Sequence, residues 1–184
     1  MTLPAHLAGG YLAIKLVNKI NPSLGYDSSD LIIAAVVGAV LPDIDFFFFK
    51  YFKDHHNSIP HSPLFWLSLY FIVYLIGYFL KNQFIKSFST ALAIGIFVHL
   101  FLDWFNARTA GIRILYPFSK KMFSLFPVNP EKGRVPTALF PFPTKEYIEF
   151  YKFYSQNTFL LLTEIYITVT GFLVWIFNKI KSNT

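Results

Sequence analysis

His99 and Asp103 stand four residues apart in an apolar run, 85–105, that reads as a helix. Residues four apart on a helix face the same way, so this imidazole and carboxylate can share one ion. Left unpaired among apolar neighbours they would be costly. Two more carboxylates, Asp43 and Asp45, lie in Leu41-Pro42-Asp43-Ile44-Asp45, between an apolar run and four consecutive phenylalanines. His6 near the N-terminus, and His56 and His61 in the polar stretch 53–62, add imidazoles. Taken singly, several have a plainer reading: His6 and His56 as solvated surface residues, and Asp43 with Asp45 as a solvated helix end. Together the set offers neutral imidazoles and carboxylates, a donor set suited to zinc, with manganese or iron as alternatives, and large enough for one, two or more ions. A pair of such ions about 3.5–4 Å apart would polarise a phosphoryl oxygen and supply a hydroxide nucleophile at neutral pH. The chain has no cysteine, which excludes thiolate ligands, a thiol nucleophile and disulfides.

The elements that must position these groups are those of a membrane protein. The chain is 54% hydrophobic, 20% aromatic and only 14% charged, with a mean hydropathy of +0.47, too apolar for a soluble domain of 184 residues. It shows no repeat or low-complexity linker, so a single domain, 1–184, is expected. The pattern predicts an all-α fold, a polytopic membrane bundle of four to five helices with a long interfacial region at 106–157. The first helix, 1–20, is amphipathic with Pro4 in its first turn, and it lacks the marks of a cleaved signal. A turn at 21–27 leads to a second helix capped by Ser28 or Ser29 and ending near Leu41, because Pro42 disfavours helix before it. Further helices are expected at 63–80, 85–105 and 159–177. The net charge of +6 comes from basic residues scattered at the ends of apolar segments, so anionic lipid headgroups, not nucleic acid, are the expected counterpart.

Chain direction makes the strongest argument. If adjacent helices are antiparallel, the start of the first, the end of the second, the start of the third and the end of the fourth share one face. Those ends carry His6, Asp43 with Asp45, His56 with His61, and His99 with Asp103. The first segment falls short of the ~20 apolar residues of a full span, so the convergence requires only that it still run antiparallel to the second. Glu164 is the only charge inside the last span and lies near its start, on the same face. It is expected either to support the ligands from behind as an acceptor or to pair with an interfacial lysine.

His6, Leu41-Pro42-Asp43-Ile44-Asp45, His56-x-x-x-x-His61-Ser62, His99-x-x-x-Asp103 and Ile114-Leu115-Tyr116-Pro117-Phe118-Ser119, in this order over 2–119, resemble the YdjM-like family of predicted membrane-bound metal-dependent hydrolases, also described as LexA-binding and inner-membrane-associated. One departure is that the family's His-Arg-Gly-x-Thr-His-Ser reads His56-Asn57-Ser58-Ile59-Pro60-His61-Ser62 here, without the Arg and Thr. A more distant similarity is to zinc-dependent phospholipases C and single-strand-specific zinc nucleases, although their later His-x-x-x-Glu pair has no clear counterpart.

The resulting expectation is a multi-pass protein of the cell (inner) membrane. It would hydrolyse a phosphoester in a lipid or lipid-linked substrate through a metal-activated water. His6, Asp43, His56, His61, His99 and Asp103 are the expected metal ligands. Asp45 is the expected general base, with Asp43 beside it at the reacting centre. Arg108 and Arg113 would anchor substrate phosphate. Ser62 is expected to cap a helix beside His61, not to act as a nucleophile. The alternative is a non-catalytic metal-binding membrane scaffold or transporter. Transporters place charges near mid-bilayer on broken helices, whereas here nearly all lie at helix ends. Lysine and arginine flank the spans on both faces, so the positive-inside rule does not decide which compartment the site faces.

Overall fold

Proline opens two of the helices, where the missing N–H costs nothing. Pro4 stands in the first turn of α1 (Leu3–Ile20), and Pro63 begins α3 (Pro63–Phe79). The computed structural model describes residues 2–48, 59–105, 112–123, 125 and 158–183, with backbone alone at 45–48 and 183. The other helices are α2 (Ser29–Gly38), α4 (Gln83–Phe105) and α5 (Thr158–Asn183). The architecture is all-α, as expected, and among the described residues there is no strand. A single isolated antiparallel bridge joins Ile112 and Phe123, within the region read from sequence as interfacial. Most of 106–157 lies outside the described residues.

α4 is the central helix, packed against α1, α2 and α3, while α5 lies along α1. Ile14, Tyr26, Leu31, Ala34, Ala35 and Ala91 form one buried cluster, tying α1 and α2 to α4. Trp66, Ile96, Leu100 and Ile112 form another, which fastens α3 and the segment around the bridge to the last turns of α4. α2 and α4 meet backbone to backbone. A Cβ built on Gly95 would lie 1.9 Å from the Ala35 carbonyl oxygen, and one on Gly38 would lie 2.2 Å from that of Leu92. Small residues permit this approach, a common device where helices pack in lipid.

α2 ends earlier than the sequence suggests. It stops at Gly38 and the chain continues as a 3-10 segment, Leu41–Phe48. Pro42 has no N–H to continue the ladder and biases Leu41 away from the helical region. The tighter turn begins with Asp43 N–H donating to Val40 O at 3.1 Å.

The outer faces are apolar. Phe71, Ile72, Leu75, Ile76 and Phe79 on α3, and Phe172, Trp175 and Phe177 on α5, are exposed. Two helices, α4 and the 158–182 stretch of α5, are long and apolar enough to cross a membrane, and the apolar helices α2 and α3 are shorter. Only 17% of the most apolar window of α5 is covered by the rest of the chain. A helix so apolar and so little covered requires an apolar medium around it.

Gly95→Ala is expected to destabilise the fold by roughly 1–3 kcal/mol, because the clash is with backbone that cannot rotate away. Thermal unfolding in detergent should show the loss, while Gln83→Ala at the exposed start of α4 should stay within about 0.5 kcal/mol of the parent.

Candidate metal centre

The last turns of α4 bring His99 and Asp103 to the same face, both buried. The ring of His99 is fixed from behind: its Nδ1 lies 2.8 Å from the carbonyl oxygen of Ala39, the residue that ends α2. A carbonyl only accepts, so Nδ1 carries a proton, and the tautomer this selects has its lone pair on Nε2. That Nε2 is 2.9 Å from Asp103 Oδ2 and 3.4 Å from Asp43 Oδ1. It is buried and makes no hydrogen bond among the described residues. A lone-pair nitrogen held this close to carboxylate oxygens is repulsive unless a proton or a metal cation sits between them.

His61 comes from the short turn Ile59–His61, pinned by the Trp66 indole N–H donating to the carbonyl oxygen of Pro60. Its fully buried ring places Nε2 3.5 Å from Asp43 Oδ1 and 3.7 Å from Asp103 Oδ2. Asp43 enters from the 3-10 segment after α2 and is the most open member, 27% exposed against 0–1% for the other three. One donor atom from each of Asp43, His61, His99 and Asp103 lies within 4.8 Å of every other. Ligands about 2.0–2.2 Å from a tetrahedral ion stand roughly 3.3–3.6 Å apart. The observed nitrogen-to-oxygen separations of 2.9–3.7 Å scatter around that spacing. This donor set therefore fits a divalent transition metal, while the choice among zinc, manganese and iron is not fixed by it.

His6, on the second turn of α1, lies beside this group. Its buried ring stacks on that of His99, with centroids 3.8 Å apart and planes 18° from parallel, and its Nε2 is 3.3 Å from Asp103 Oδ1. Four residues earlier, Glu164 of α5 holds the start of α1. Its Oε1 accepts from the Thr2 backbone N–H at 2.9 Å and its Oε2 from the Thr2 hydroxyl at 2.7 Å. A carboxylate at this point also complements the positive end of the helix. Glu164 thus supports the site through the placement of α1, one step further from the ligands than the sequence suggested.

Ser62 occupies the N-cap position of α3 but does not cap it. Its hydroxyl instead donates to the carbonyl oxygen of Tyr116 at 2.9 Å. The expectation of a capping hydroxyl is corrected accordingly, since its proton ties the turn carrying His61 to the 112–123 segment. Arg113, on that segment, is half-buried, with its guanidinium 5.8 Å from the centroid of the Tyr116 ring. Arg108 and His56 lie outside the described residues, as does the side chain of Asp45. Of the expected ligands, then, His6, Asp43, His61, His99 and Asp103 are brought together. The Ala39 carbonyl had no signal beyond a small residue at the end of an apolar run. The Trp66 indole had none beyond its place six residues after Pro60.

A model of the YdjM inner membrane protein family matches residues 1–181. The chain belongs to this family. No curated protein matches it, and neither does any solved structure. Membership agrees with the resemblance carried by the His and Asp motifs, and with α4 and α5 it places the chain in the inner membrane, in association with the lipid bilayer. The similarity to zinc phospholipases and nucleases finds no counterpart among these matches. For the YdjM inner membrane protein fold, the link between the last helix and the first is open to measurement. Glu164→Ala strips Thr2 of the carboxylate that accepts from its N–H and hydroxyl, and is expected to cost about 1–3 kcal/mol of stability. Glu164→Gln, which keeps one acceptor oxygen, should recover part of that in a detergent melting experiment.

Proposed function

We propose that this protein is a multi-pass, metal-dependent hydrolase of the inner membrane, cleaving a phosphoester in a lipid or lipid-linked substrate. The observation that carries the reading is the buried group Asp43, His61, His99 and Asp103, in which His99 Nε2 lacks a hydrogen bond and faces carboxylate oxygens. In this reading those four residues hold the ion, most suitably zinc, with manganese or iron as alternatives. A divalent ion there would polarise a phosphoryl oxygen and make a water nucleophilic at neutral pH. Because Asp43 is the exposed member, substrate and water would reach the centre past it. Asp45, two residues on in the same segment, is proposed as the general base, and Arg113 with Arg108 as the cations that hold the phosphate.

A lipid substrate is favoured by position. The ligands sit at helix ends, where a headgroup lies, and Phe101, between His99 and Asp103 in the chain, is exposed, as are Leu115 and Phe118 on the segment bonded to Ser62. Acyl or isoprenoid chains would find apolar surface there. A transporter would need its ligands near mid-bilayer, at a break in a helix, and α4 runs unbroken through His99 to Phe105. A scaffold would have no use for a buried donor set.

Elemental analysis of the detergent-purified protein tests this directly. Wild type should carry at least one equivalent of a transition metal, and His99→Ala and Asp103→Ala should lose it together with turnover of phospholipid or isoprenoid-phosphate substrates. A wild type that stays metal-free after supplementation would remove the hydrolytic mechanism and leave the scaffold. Ser62→Ala should keep turnover within roughly tenfold to a hundredfold of the parent, as expected for a group that only orients a ligand. Complete loss would make the hydroxyl a nucleophile.

A further inference from the structure

Two stacked imidazoles stand against one carboxylate, and their surroundings give them opposite tautomers. His99 donates through Nδ1 to the Ala39 carbonyl oxygen, which leaves its Nε2 facing Asp103 Oδ2 at 2.9 Å. His6 has no such carbonyl: its buried Nδ1 makes no hydrogen bond among the described residues, and its Nε2 lies 3.3 Å from Asp103 Oδ1. An ionised carboxylate oxygen only accepts, so the proton of the His6 ring belongs on Nε2. Ring geometry separates the two histidines as well. An imidazole lone pair lies in the ring plane, so two rings that bind one ion about 2.0–2.1 Å from each nitrogen must have planes that meet at it. His61 and His99 suit this, with planes 56° apart and centroids 5.5 Å apart. The His6 and His99 rings lie face to face, 18° from parallel and 3.8 Å apart, so their in-plane directions run side by side without converging.

We infer that His6 does not bind the ion but holds the carboxylate that does: its Nε2–H donates to Asp103 Oδ1 and turns Oδ2 toward His99 and His61. The inference rests on the metal-dependent reading above and makes an expected ligand a positioning residue. It agrees with the group of mutually close donors, which is Asp43, His61, His99 and Asp103. The seat of α1 serves this contact. A Cβ on Gly9 would lie 2.9 Å from Leu102 of α4, and one on Gly10 would lie 2.6 Å from the Ala39 side chain, so the helix face that carries His6 is pressed onto both α4 and the end of α2. Packing alone does not account for the histidine. A phenylalanine would make the same stack on His99 without burying an unpartnered Nδ1. What it would lack is the Nε2 proton.

The test uses the full chain in detergent as wild type, His6→Phe and His6→Gln. Zinc affinity is read by competition with a chromophoric chelator, the number of imidazoles on zinc by X-ray absorption, and stability by thermal melting of the metal-free protein. His6→Phe should keep the imidazole count and the melting temperature of wild type yet bind zinc roughly 10–100-fold more weakly, the usual effect of removing a group that orients a ligand. His6→Gln, whose amide can still donate, should recover part of that loss. In wild type, nitrogen NMR should find the His6 ring protonated on Nε2, a readout that requires no variant to fold. One imidazole fewer on zinc in His6→Phe would make His6 a ligand, and an unchanged affinity would reduce it to packing. Either result overturns the inference and leaves the hydrolase reading standing. A wild type that takes up no zinc, manganese or iron would remove both.

Discussion

Everything at the candidate metal centre depends on how closely α2 approaches α4. At Gly38 and Gly95 the two backbones leave no room for a methyl group. That contact brings the end of α2 within hydrogen-bonding distance of a side chain on α4, so the Ala39 carbonyl accepts the Nδ1 proton of His99. The tautomer follows from the bond, and the lone pair on Nε2 follows from the tautomer. Two glycines with no chemistry of their own therefore decide which nitrogen of His99, one turn beyond Gly95, faces the carboxylates.

The second constraint is electrostatic. Asp103 is buried at the end of an apolar helix, among three imidazoles whose nitrogens approach its oxygens at 2.9–3.7 Å. An isolated carboxylate in such a place would take up a proton before remaining charged. Converging helix ends are where a membrane bundle can gather partners for it, because turns reach sideways as helices cannot. Asp43 and His61 both arrive on turns, the 3-10 segment after α2 and the short turn before α3. His6, His99 and Asp103 arrive on helices and set the rigid side of the site.

The helices and the convergence of the ligands were legible in the sequence because both depend on features local to the chain. Apolar runs of sufficient length, a proline that stops α2 and a four-residue spacing in α4 each act within a few residues. Direction then needs only the alternation of antiparallel neighbours, and His6, Asp43, His61, His99 and Asp103 do meet at one end. What was not legible was carried by contacts between distant parts of the chain. The hydroxyl of Ser62 has a capping position beside it but donates to Tyr116, 54 residues away. The carboxylate of Glu164 has the interface near it but accepts from Thr2, 162 residues away. No propensity distinguishes these choices, since each is settled by which backbone group lies within 3 Å after packing.

The exposure of Asp43 gives the site its direction. His61, His99 and Asp103 are sealed by packing at 0–1% exposure and Asp43 is 27% exposed, so among the described residues the group opens on the side of the 3-10 segment. Pro42 itself is buried, and Ile44 beside Asp43 is exposed, so this segment buries one neighbour of its ligand and presents the other to the surroundings. In a bundle whose outer faces are apolar, this segment sets a carboxylate and an exposed apolar side chain next to each other at the open side of the group. The ledge at 41–44 is thus the element through which a group able to hold a metal ion meets its surroundings.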